Sequence, residues 1–133
     1  MKEFAQLQVS TLLRRLAAQV KRTGEVADAD SVHDLRVAIR RLSRALRSLA
    51  QFFPGKSWKR IRKELSNLMD AAAAVRDNDV ALELIEKAGA GKRARVALTV
   101  QARRREAEAN LREELQNWQG RGCAREWREA LEL

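Results

Sequence analysis

Residues 31–47 read SVHDLRVAIRRLSRALR and hold five arginines together with the only histidine of the 133-residue chain. With about 100° of turn per residue, His33, Arg36, Arg40, Arg44 and Arg47 share one sector of roughly 80°. Leu35, Ile39, Leu42, Leu46, Leu49 and Phe53 occupy the opposite side. A 3.6-residue period that separates an apolar half from a basic half predicts a helix packed on a core by one face. Ser31-x-x-Asp34 has the form of a capping box, which places the start of this helix near Ser31, and Pro54-Gly55 ends it.

The same period runs through the rest of the chain. A first helix is expected from Glu3 to Arg22, with Val9, Leu12, Leu13, Leu16 and Val20 on one face, broken by Thr23-Gly24-Glu25. A third starts at Lys56 or Ser57 and carries Trp58, Ile61, Leu65, Leu68 and Met69 as far as the run Ala71–Val75. Arg76-Asp77-Asn78-Asp79 is expected to interrupt it, because Asp and Asn side chains compete for backbone hydrogen bonds. A shorter helix follows from Val80 to Ala88, then a long one from Lys92 to Trp118 and a short one from Ala124 to Leu131. No segment alternates as a strand does, and three Trp, three Phe and no Tyr give little material for a β-sandwich core. The expected fold is all-α, an antiparallel four-helix bundle with short additional helices, in a single domain over residues 1–133.

The net charge of +9 is localised. Residues 33–63 hold ten Lys and Arg against one Asp, net +9, while residues 1–32 are at +1 and residues 64–133 at −1. Such a concentration points to a polyanionic partner. Cys123 is the only cysteine, which excludes an internal disulfide and a thiolate metal cluster. The first twenty residues lack the unbroken apolar run of a signal peptide, and Glu3 argues against a transit peptide. A cytoplasmic protein without a membrane segment is expected.

Like charges at i,i+4 destabilise a helix by a few tenths of a kcal/mol per pair, and the basic stripe interleaves no acid. By contrast, residues 103–114, RRREAEANLREE, mix their charges as a solvated face does. From His33 to Arg47 the axis advances about 21 Å, so the fitting partner is extended and repeats its charge. The positive end of the helix dipole near His33 would add to its grip. Guanidinium forks suit phosphate oxygens better than point-charge lysines do. Lys56, Lys59, Arg62 and Lys63 extend the basic surface to the third helix, and Arg93 and Arg104 are expected to point toward a shared groove.

Competing chemistries find less support. His33 has no second His or Cys for a metal, and Arg76-Asp77-Asn78-Asp79 reads more readily as a cap with an internal ion pair than as a Mg²⁺ site. Trp58, Trp118 and Trp127 fall at packing positions, and no Walker loop or nucleophile with its base marks an enzyme. Non-specific DNA or RNA binding is the main rival, although the stripe carries no Asn or Gln to read bases.

The segment His33-Asp34-Leu35-Arg36-Val37-Ala38-Ile39-Arg40-Arg41-Leu42 has the pattern H-x-x-R-V-x-x-R-R-L, and Arg76-Asp77-Asn78-Asp79-Val80 has the pattern R-D-x-D-V at the end of an apolar helix. In both motifs and in their order the chain resembles the CHAD domain over roughly residues 5–131. The resemblance implies long bundled helices around a basic groove for inorganic polyphosphate, and in several bacteria an association with polyphosphate granules. By position His33, Arg36, Arg40 and Arg41 would belong to that groove, with Arg76 and Asp77 at the second motif. The chain departs from the pattern at Ser43, where the family often has an arginine, and Arg44 takes the stripe position instead. A full CHAD domain holds two related bundles and this chain resembles one, so two copies are expected to pair about a two-fold axis. The expected polyphosphate-binding set is His33, Arg36, Arg40, Arg41, Arg44, Arg47, Lys59, Lys63, Arg76 and Arg104, with no catalytic residue, metal or cofactor.

Overall fold

A computed structural model describes all residues, 1–133. The chain is helical throughout, with α1 at Lys2–Glu25, α2 at Ala29–Ser48, α3 at Gly55–Lys87, α4 at Arg95–Gly120 and a short α5 at Cys123–Ala130. A 3-10 turn, Ala50–Phe52, joins α2 to α3. The four long helices form an antiparallel ring in which α1 packs on α2 and α4, and α3 on α2 and α4, while neither diagonal pair meets. Apolar residues at helical spacing fill the centre, among them Leu13, Leu16, Leu35, Ile39, Leu65 and Leu111, all essentially without solvent exposure. Each such burial contributes about 1.5–3 kcal/mol.

Helix α5 closes one end. Gly122 adopts φ 66°, a left-handed turn that glycine enters without a Cβ clash, and the chain reverses there into α5. Trp127 is then fully buried, edge-on to Trp118 at 5.4 Å, and its Nε1 donates to Glu64 of α3 at 2.9 Å. Burial also raises the Cys123 thiol above its usual pKa, with Arg121 opposing that shift, so the thiol stays protonated inside the core.

At the other end, two arginines of α4 satisfy carbonyls left free where α1 stops. Arg112 donates to Gly24 and Glu25 oxygens at 3.2 and 2.6 Å, and Arg104 to the Ala27 oxygen at 2.7 Å. Between α1 and α2 a buried polar knot joins Gln19, Thr23 and Ser31, with Gln19 Nε2 donating to the Ser31 carbonyl at 3.1 Å and the two hydroxyls 2.8 Å apart.

The structure corrects three boundaries. Helix α3 does not break at Arg76–Asp79, and residues 80–87 belong to the same 33-residue helix. The competing side chains are occupied elsewhere: Asn78 bonds back to the Ala74 carbonyl at 2.8 Å, and Asp79 receives Arg104 of α4 at 3.0 Å. Helix α2 starts at Ala29, with Asp28 as its N-cap accepting from Ser31 N at 2.9 Å. Ser31 is turned inward to Gln19, so the Ser31–Asp34 box does not form. Helix α4 begins at Arg95, three residues later than Lys92.

The corrected start of α2 is testable. Asp28→Ala should lower stability by about 1 kcal/mol, whereas Asp34→Ala should stay within about 0.5 kcal/mol of wild type. Urea midpoints at unchanged m-value measure both, and an equal loss in the two variants would restore the capping box.

Candidate functional site

Helix α2 lies between α1 and α3, with Leu35, Ile39, Leu42 and Leu46 buried beneath it. Its opposite face must then meet solvent, and His33, Arg40, Arg44 and Arg47 are exposed along it. None of Arg36, Arg40, Arg41, Arg44 and Arg47 has a carboxylate within ion-pair distance. Three successive neighbours, 36–40, 40–44 and 44–47, therefore repel without relief, at a cost on the order of 1 kcal/mol in total.

A cleft of about 240 Å³ follows the seam between α2 and α3, floored by Ile39 and Leu65 and edged by Arg40, Ser43, Arg44, Arg62 and Ser66. Arg62 Nε donates to Ser43 Oγ at 3.2 Å across this seam. Arg36 is half-buried, and its Nε is shut from water without any hydrogen-bond partner. A buried donor left unsatisfied costs about 1–3 kcal/mol.

The other expected site residues are placed differently. Arg41 turns toward α1 and shares a second cleft with Arg15, Asp34 and Val37. Lys59 and Lys63 are exposed on the outer face of α3, roughly 70–110° round the helix from the residues that face α2. Lys59 Nζ sits 5.7 Å from the Trp58 ring centroid. Arg76 lies 3.9 Å from Glu83, one heptad along α3. Because α2 begins at Ala29, His33 sits one turn inside it, and the first-turn N–H groups lie instead beside Asp28 and Asp30. The anion site expected at the helix start is thereby moved away from His33. Arg93 is exposed in the turn before α4, away from α2.

Arg104 does not face the groove. Its Nε meets Asp79 at 3.0 Å, Nη1 meets Glu108 at 3.1 Å and Nη2 donates to Ala27. Burial alone would lower its pKa, but the hydrogen bonds and charges of Asp79 and Glu108 outweigh burial and hold it above its ordinary value. With each of its three guanidinium nitrogens engaged, Arg104 ties α4 to α3 and to the α1–α2 turn. Arg62, expected only as part of the basic extension on the third helix, lies at the seam itself. Arg15 is the residue that charge alone did not single out, and it is identified only once α1 is known to lie beside Arg41.

The division is measurable. Arg104→Ala should lower the unfolding free energy by about 2 kcal/mol or more, because Asp79 loses its partner. Arg36→Ala should change it by less than about 1 kcal/mol. Equal losses in urea unfolding would mean that both arginines are structural.

The family model of the CHAD domain matches residues 5–133. Comparison with curated proteins finds no match, and neither does comparison with solved structures. The match spans nearly the whole chain and includes both the α2 stripe and the Arg76–Val80 segment of α3, and the protein belongs to the CHAD domain family.

Proposed function

We propose that this protein is a non-enzymatic module that binds inorganic polyphosphate along the exposed face of α2 and its seam with α3. The observation that carries this reading is the unpaired row Arg36, Arg40, Arg44 and Arg47, continued across the seam by Arg62. On α2 the guanidinium groups recur about every 6 Å along the axis, which suits an anion that repeats its charge along its length. The CHAD family is linked in general terms to polyphosphate, which supports the choice among polyanions.

The face supplies hydrogen-bond donors and positive charge, a set suited to gripping rather than turning over its ligand. His33 would meet the chain at one end of the row and Arg47 at the other, with Arg41 and Arg15 steering it from the α1 side. One copy presents this face as an open wall, and a second copy would add the facing wall. The chain contains no helix long and apolar enough to cross a membrane. We place its action in the cytoplasm, with retention on polyphosphate granules.

Competition between long-chain polyphosphate and duplex DNA at physiological salt tests the reading, with an Arg36→Ala/Arg40→Ala double variant beside the wild type. The expected result is a preference for polyphosphate, and a loss of at least about tenfold, or 1.4 kcal/mol, in the double variant. DNA binding as tightly as polyphosphate would overturn the ligand assignment in favour of a nucleic-acid partner.

A further inference from the structure

Along its outermost line α3 presents, at successive heptad steps, Lys56, Lys63, Asp70 and Asp77. All four are exposed, and none forms an ion pair within the chain. They lie within about 60° of one another around the helix, and each step advances about 10.5 Å. The line is therefore basic over one half and acidic over the other.

We infer that α3 is the contact through which two copies of this chain pair, antiparallel, about a two-fold axis passing between Ser66 and Asn67. In that register Lys63 of each copy meets Asp70 of the other, and Lys56 meets Asp77 about the same centre, giving four ion pairs by symmetry. Ser66 is small at the central turn, and Ala74 stands opposite the second copy's exposed Lys59 in this register, leaving room for that longer side chain. A parallel pairing in register would set Lys against Lys and Asp against Asp. Charge complementarity thus selects the antiparallel, isologous arrangement.

The same symmetry places the basic faces. An axis perpendicular to an antiparallel helix pair brings the second α2 to the same side as the first. Two arginine rows then flank a common floor made by the paired α3 helices, with Arg62 of each copy beside it. At about 50 Å, α3 also outreaches the roughly 30 Å of α2. Its overhanging end carries Leu84, which is 61% exposed and would reach the region of the second copy's 3-10 turn beyond the start of its α3. The pairing rests on the polyphosphate reading for the identity of the ligand, and not for the interface itself.

Sedimentation equilibrium of the full chain at micromolar concentration tests it, using Lys63→Asp and Asp70→Lys separately and mixed. Wild type should sediment at twice 15.1 kDa. Each variant alone should fall to the single mass while circular dichroism shows its helices intact. An equimolar mixture of the two should recover the doubled mass, because every reversed charge then meets its opposite. Variants that stay dimeric, or a mixture that stays monomeric, would place the interface elsewhere. Polyphosphate titration of the same samples separates the two readings. A monomeric wild type that still binds polyphosphate overturns only the pairing, and a dimer that fails to bind overturns only the ligand.

Discussion

The apolar underside of α2 holds a row of cations in place against their own repulsion. Burial of Leu35, Ile39, Leu42 and Leu46 contributes several kcal/mol, while the repulsion along the stripe costs on the order of 1 kcal/mol. Packing therefore wins by a wide margin, and the helix can carry a uniform positive face without unfolding. What packing does not supply is a counter-charge. The α2 arginines lack carboxylate partners, and Arg36 keeps a buried donor unsatisfied. An anion would supply that counter-charge.

Arginines of the same chain serve opposite ends according to what surrounds them. On α4, Arg104 and Arg112 are spent on the end of α1, on Asp79 and on Glu108. Removing their donors would leave carbonyls and a carboxylate without partners. On α2 and at the seam, Arg40, Arg44 and Arg62 edge a cleft whose polar atoms have few internal partners. The distinction lies in what occupies the neighbouring helix: α4 faces acids and a helix terminus, whereas α2 faces the bundle below and solvent above.

Much of this was legible in residue order. Heptad-like spacing located the helices, and the angular separation of Leu35, Ile39 and Leu42 from Arg36, Arg40 and Arg44 identified both faces of α2. Local chemistry misled where a distant partner decided the outcome. Asp77-Asn78-Asp79 looks like a helix breaker until Arg104, 25 residues beyond Asp79, takes up the carboxylate. Ser31 looks like a cap until Gln19, 12 residues earlier, draws it inward. Lys59, Lys63 and Arg62 are equivalent as charges, and only the packing of α3 on α2 shows that Arg62 turns to the seam while the lysines turn outward. Register between helices is set by tertiary packing, which single-helix periodicity does not contain.

The most direct measurement follows the arginine side-chain Nε–H resonances by NMR during titration with polyphosphate. Arg36, Arg40, Arg44 and Arg62 should shift together and saturate with one binding curve, while Arg104 and Arg112 remain where they are. Shifts centred on Arg104 and Arg112, or small shifts spread evenly over all arginines, would contradict a phosphate-chain site on α2.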